Sequence, residues 1–397
     1  PELVASLARQ VASFHNSLPS IAEDKPLGTP EAVFAAMQEN FDQIRPLLDD
    51  KSLLAQLDNL EVWTQTTFER HRELIALRRA NGFVRECHGD LHLANITQFE
   101  GEVTVFDCIE FNEPFRWIDV INDLAFLLMD LESRREHALA NLVLNTYLEY
   151  RDDFDGLSLL PLYKAYRALV RGKIALFTLG NPSLSDQQKT GLMQQYRDYA
   201  QLAEDYSSIP NRYLLATVGL SASGKTCVSA AMAEELGLIR LRSDIERKRM
   251  HGLAPLDNSK SPTGGKLYTE KATEKTYQRL AELANKLLTA GLPVIIDAAN
   301  LKEKERNLFA TLAETQGVPF ALLHCEAPDD LRREWVRNRK GDASEATVEL
   351  LDAQRGWFEA LTAEERAHTI HLQADQKQTD QKQAAKAVAD RIRQYFS

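Results

Sequence analysis

At 397 residues the chain is longer than one hydrophobic core ordinarily serves, so two domains are expected. Hydrophobic residues make up 44% and charged residues 26%, a soluble globular composition, and apolar runs such as 124–129 are too short to span a bilayer. No basic stretch followed by an apolar one opens the chain, so a cytoplasmic protein without a membrane partner is expected. The net charge of −11 is shared unevenly: 19 basic and 32 acidic residues precede Ile209, and 28 and 26 follow from it. That asymmetry supports two domains and argues against an extended nucleic-acid surface on the first half. Cys87, Cys108, Cys227 and Cys325 form no C-x-x-C pair and read as reduced, buried thiols.

Apolar residues at helical spacing (Leu3, Val4, Leu7, Val11 and Phe14, then Val33, Phe34, Met37 and Phe41) predict that the chain opens with amphipathic helices. A further long helix is expected over 53–77, stopping at Asn81-Gly82. The pattern then changes to His88-Gly89-Asp90-Leu91-His92-Leu93-Ala94-Asn95, followed by a short strand, a turn at 100–102 and a strand 103–106 leading into Asp107. An aspartate and an asparagine five residues apart in a loop, with a second aspartate after the next hairpin, is an arrangement of protein-kinase-type phosphotransferases. Metal-bridged phosphates need hard oxygen ligands on a rigid hairpin, with the base beside them. Zinc held by His88 and His92 is the competing reading, and the sequence offers it no evident third ligand.

The stretch resembles the aminoglycoside phosphotransferase and choline kinase family. The resemblance implies that Asp90 is the catalytic base orienting an acceptor hydroxyl, that Asn95 and Asp107 hold Mg²⁺, and that Asp123 steadies the loop rather than lying on a helix surface. Members of that family carry a nucleotide-binding lobe with a glycine-rich loop before this stretch. Here 87 residues precede it, they read as helices, and their glycines are Gly28 and Gly82. Either the chain is a fragment beginning after that lobe, which the start at Pro1 favours, or the first half is a remnant that binds no ATP by itself. Helices are expected over 142–150, 159–179 and 185–206. Tyr163, Tyr166, Arg167, Arg171 and Lys173 line an acceptor pocket or form a solvated basic face. The boundary falls in 207–211, giving a first domain 1–208 and a second 209–397.

Gly219-Leu220-Ser221-Ala222-Ser223-Gly224-Lys225-Thr226 fits G-x-x-x-x-G-K-[ST] at every fixed position, between a predicted strand 213–218 and a predicted helix 227–236. Gly219, Ser221, Ser223 and Gly224 would cradle polyphosphate with backbone N–H groups. Lys225 would reach the β- and γ-phosphates and Thr226 would ligate Mg²⁺. A chance glycine- and serine-rich connector is the alternative. Asp244, in Arg242-Ser243-Asp244-Ile245-Glu246-Arg247 after a strand 239–241, would face the γ-phosphate as general base, or cap the next helix. This half resembles small P-loop kinases, including polynucleotide kinase, gluconate kinase and zeta-toxin-like proteins. By that resemblance Arg247 grips the acceptor.

The run 293–297 suits a central parallel strand ending in Asp297, placed to join the Mg²⁺ shell. Strand 320–325 leads into a helix carrying Arg332, Arg333, Arg337 and Arg339, which repel one another unless an anion lies near; a phosphate-clamping lid that includes Arg337 and Arg339 is expected, against a solvated basic face. The stretch 342–346 and Gln354 match the same kinases. A connector over 374–383 precedes a docking helix 384–396. The fold class expected is α/β: a mostly helical kinase-like lobe, then a P-loop domain whose parallel sheet is flanked by helices. The expected activity is Mg²⁺- and ATP-dependent phosphoryl transfer to a small-molecule hydroxyl. A polynucleotide 5′-hydroxyl acceptor and an ATP-hydrolysing switch are the alternatives.

Overall fold

The computed structural model describes residues 1–208, 211–257, 269–338, 343–344, 347–373 and 381–396. They fall into two units, Pro1–Tyr147 with Gly156–Ile209 and Leu148–Asp155 with Pro210–Ser397. In the first unit the amphipathic spacing yields α1 (Glu2–Ser17), α2 (Pro30–Ile44) and α3 (Lys51–Ala80). Thr29 caps α2 ahead of Pro30, and α3 stops where Gly82 takes φ 77°. A short strand β1 (Val84–Glu86) leads to the hairpin β2 (Ile96–Phe99) and β3 (Glu102–Val105), turned through Glu100 and Gly101, both at positive φ. After one turn of helix, α4 (Glu113–Arg116), β4 (Trp117–Asp119) pairs antiparallel with β1, a ladder the sequence did not announce.

Helices α5 (Val120–Ser133), α6 (His137–Arg151), α7 (Leu160–Leu179) and α8 (Asp186–Asp205) follow. Buried side chains of α2, α3, α5, α7 and α8, including Phe41, Leu57, Phe126, Leu169 and Tyr196, form one core. Every residue of α5 from Val120 to Leu131 is buried, so this helix is the axis of the unit. Its start is fixed by Asp119, which caps Ile121 N–H at 2.9 Å and pairs with buried Arg78 at 2.7 and 2.8 Å.

The second unit is built on β5 (Leu214–Val218), α9 (Lys225–Leu236), β6 (Ile239–Arg242), α10 (Ser243–Arg249), α11 (Glu270–Thr289), β7 (Val294–Asp297), α12 (Glu303–Gln316), β8 (Phe320–Glu326), α13 (Asp329–Asn338), α14 (Val348–Trp357), α15 (Ala363–Ala367), β9 (Thr369–Gln373) and α16 (Gln381–Phe396). Its strands form a parallel sheet of order β6-β7-β5-β8-β9. Strands β5 and β7 are buried throughout, which is why they read as continuous apolar runs. The closing helix does dock: Ala389 and Ile392 are buried against Met232 and Leu215, and Phe396 lies 4.6 Å from Tyr213, ring to ring. Because β5 is central, with neighbours reached in opposite directions, the loop after it lies at the switch point where open α/β sheets bind ligands. Among the described residues no helix is long and apolar enough to cross a membrane.

Candidate functional site

In the first unit α5 holds the His88–Asn95 loop from below. Asp123 and Asp130, seven residues apart, share a helix face. Asp123, fully buried, accepts from His88 N–H at 3.1 Å and Gly89 N–H at 2.9 Å, while Asp130 accepts from Leu93 N–H at 2.9 Å. Burial pushes the Asp123 carboxyl up, but the hydrogen bond from His15 of α1 at 3.1 Å and the nearby Arg167 charge outweigh it and hold it low. From α7, Arg167 binds the Gly89 carbonyl at 3.0 Å and Asn122 at 2.8 Å. Arg167 and Tyr163 are therefore interior, and the solvated-face reading of that stretch does not hold for them.

On this support Asn95 Nδ2 donates to both the backbone and the carboxylate of Asp90, each at 3.0 Å. His92 Nε2 stands 3.2 Å from the same carboxylate. Burial raises the Asp90 carboxyl, yet these partners and Arg167 bring it below its ordinary range, so it is ionised at neutral pH. Phe106 N–H donates to the Asn95 carbonyl at 3.0 Å, which sets exposed Asp107, at φ 61°, beside Asn95 at the end of the hairpin. Asp90 and Asn95 are thus bonded neighbours and the hairpin brings the Asp107 backbone to the Asn95 end of the loop; carboxylate and amide oxygens are the kind of ligand Mg²⁺ takes. The His88 ring bonds the Phe106 carbonyl at 2.9 Å and His92 accepts from Ala94 N–H at 3.2 Å, so the local fold occupies both rings and the zinc reading fails.

In the second unit the phosphate loop, 221–226, Arg242, Asp244, Arg247 and Asp297 line one cavity of about 1630 Å³. The first turn of α9 leaves N–H groups without intrahelical acceptors, and it opens there at Gly224, φ 92°. Lys225 Nζ donates to the Leu220 carbonyl at 2.7 Å, inside the loop. Ser223 Oγ is buried with no hydrogen-bond partner among the described residues, an orphan that a phosphate oxygen would satisfy. Thr226 and the buried Asp297, the latter held by Ser229 at 2.9 Å, offer oxygen ligands on the cavity wall that fit Mg²⁺.

Three expectations change. Gly219 does not line the cavity: its N–H donates to the Ala299 carbonyl at 3.0 Å, and a Cβ there would meet the Cys325 carbonyl oxygen at 2.3 Å, so it serves close packing of loop on sheet. Ser221 N–H goes to the side chain of Gln354 in α14 at 2.7 Å. Among the described residues no arginine lid lies on the cavity: Arg332 and Arg333 are paired with Asp329 and Asp352, Arg337 is exposed outside the cavity, and Trp335 and Asn338 line it instead. Arg339, the stretch 339–342, Glu345 and Ala346 lie outside the described residues.

Asp244 is not the helix cap either, because β6 runs to Arg242, which occupies the cap position, and Asp244 lies in the first turn of α10. Arg242 links Glu149, 3.5 Å away, to Asp297 at 3.6 Å, and Arg240 binds the same Glu149 at 2.7 Å. Arg247 is buried and donates to Thr273 at 3.2 Å. Of the cysteines, none in a disulfide, Cys87 and Cys325 are buried as expected but Cys108 and Cys227 are exposed.

Residues 1–160 match the model of a phosphotransferase enzyme family, and residues 214–361 match that of an AAA domain. The chain joins a phosphotransferase-family domain to a P-loop kinase-like domain of the AAA type. An uncharacterised protein of Mycobacterium tuberculosis is 26% identical over 350 residues, which cover 88% of this chain and 69% of that protein. Among solved structures, a sugar kinase from Janibacter sp. is 23% identical, covering 47% of this chain and 94% of its own at a TM-score of 0.34. A gluconokinase from Sinorhizobium meliloti is 21% identical, covering 47% and 97% at 0.33.

Proposed function

We propose that the second unit transfers the γ-phosphoryl group of ATP to a hydroxyl of a small molecule such as a sugar or an aminoglycoside-like compound. The observation that carries this reading is the single cavity wall shared by the phosphate loop, Asp244 in the first turn of α10, and Arg247. Bound ATP with Mg²⁺ supplies the phosphoryl group and the metal charge. Lys225 and the α9 N-terminus counter phosphate charge, while Thr226 and Asp297 would hold the metal. Asp244 accepts the hydrogen of the acceptor hydroxyl and aims its oxygen, and Arg247, steadied by Thr273, binds the acceptor. In the first unit we assign Asp90 as a hydroxyl-orienting base with Asn95 and Asp107 as metal ligands, supported by the hydrogen-bonded loop that gathers them.

The test is ADP release with sugars, amino sugars, nucleosides and short oligonucleotides offered in turn. General-base assistance is worth about 10²–10⁴-fold, so Asp244→Asn should lower acceptor-stimulated turnover by that factor while ATP affinity stays within a few-fold. A response confined to oligonucleotides assigns the polynucleotide acceptor. Turnover indifferent to every acceptor, with Asp244→Asn matching the wild type, leaves an ATP-hydrolysing switch.

A further inference from the structure

We propose that His324 and Glu326 of β8 and His371 in the middle of β9 form a binding site for a divalent transition-metal ion, Zn²⁺ foremost. Side chains alternate along a strand, so residues 324 and 326 of β8 project from one face. The parallel register pairs His324 with His371, placing the third side chain on that face beside them. The result is one ligand atom from each of the three, all within 4.8 Å of one another. His324 Nε2 stands 3.8 Å from Glu326 Oε1, and the two imidazole centroids are 5.2 Å apart at 62°.

The His324 ring is held in place. Phe358 stacks on it at 5.8 Å and 14°, and its Nδ1 is buried with no hydrogen-bond partner among the described residues. A buried ring nitrogen that finds no protein partner is costly unless another ligand compensates. Burial, with help from His371 and Arg306 and against Glu326, lowers its pKa, so the ring is neutral at pH 7, the form that ligates metal.

Zinc bonds of about 2.0–2.2 Å set tetrahedral ligand atoms roughly 3.3 Å apart, tighter than the present cluster. Glu326, with its side chain 61% exposed, and exposed His371 can close that difference by rotamer change. Two imidazoles and one carboxylate suit Zn²⁺ and leave a fourth position for water. Mg²⁺ demands oxygen ligands, so this site is chemically distinct from the Thr226 and Asp297 oxygens.

The experiment titrates ZnCl₂ into the chelator-stripped full chain, without nucleotide, by calorimetry, and repeats the titration in millimolar Mg²⁺. One equivalent should bind, undisturbed by Mg²⁺. His371→Ala and Glu326→Gln alter exposed side chains, so circular dichroism should show an intact fold. Loss of a direct ligand must cost at least as much as loss of an outer-shell partner, about 10–100-fold, so each should weaken Zn²⁺ by that factor or more. Absence of stoichiometric binding, equal binding in folded His371→Ala, or displacement by Mg²⁺ overturns the proposal.

Discussion

Replacing Gly219 with alanine isolates what the first loop glycine does. The added Cβ would lie 2.3 Å from the Cys325 carbonyl oxygen and 2.7 Å from Ser223 Oγ, where real Cβ atoms stay beyond 3.0 Å. The carbonyl cannot rotate away, because Cys325 is paired with Leu372 of β9 and its neighbour His324 with Val218 of β5. The loop must therefore shift by most of an ångström, and Gly219 must leave φ 146°. Restoring the strained backbone costs about 1–3 kcal/mol. If the free variant relaxes and nucleotide must pull the loop back, that cost comes off binding, about 5–150-fold in affinity, before the clash is counted.

Titration with a fluorescent ATP analogue reads this directly. Gly224→Ala, at φ 92° with nothing within 4 Å of the new Cβ, carries the backbone cost alone and should lose less. Gly101→Ala, in the hairpin turn of the first unit, should lose nothing. Equal affinity for wild type and Gly219→Ala would refute the packing of loop on sheet as the determinant of the site.

Asp123→Ala leaves the His88 and Gly89 N–H groups and His15 without their buried partner, which at about 1–3 kcal/mol per orphaned group, with overlap, should destabilise the first unit by about 3–5 kcal/mol. Urea unfolding in a Trp335→Phe, Trp357→Phe background, where Trp63 and Trp117 report, measures this. The lowered folded-state pKa of Asp123 gives stability that is full above the unfolded value of about 3.9 and lost as pH falls through the folded one. Asp123→Asn should flatten that acid limb. Cys227, exposed on the cavity wall, should alkylate readily and be protected by ATP; Cys325, buried with its thiol pushed up to about 12, should stay unreactive, as mass spectrometry of labelled peptides will show.

The phosphate loop was legible because its chemistry is local: strand, glycines, lysine and helix lie within one short stretch. Asp90, Asn95 and Asp107 were legible for the same reason. What supports them was not, since Arg167 reaches Gly89 from 78 residues away, and Asp130 reads as an ordinary helix carboxylate until α5 proves buried on every side. The repulsion between Arg332 and Arg333 needs no anion to relieve it, because Asp329 sits three residues before Arg332 and Asp352 arrives from α14 to meet Arg333. The cap alternative for Asp244 falls away because β6 runs one residue further than its apolar pattern, ending on Arg242, which turns to Glu149 and Asp297 and leaves Asp244 in the first turn of α10. Pairings between β1 and β4 and between β8 and β9 join distant short segments that carry no turn signal between them.

Lys225 decides whether the loop from Gly219 to Thr226 is a working nucleotide site. Its ammonium, 2.7 Å from the Leu220 carbonyl, is the loop's own side-chain cation. Calorimetric titration of Mg²⁺–ATP into the wild type and Lys225→Ala should give one saturable site in the first and no measurable binding in the second, with circular dichroism unchanged between them. Wild-type affinity in Lys225→Ala would mean that this loop does not hold the nucleotide.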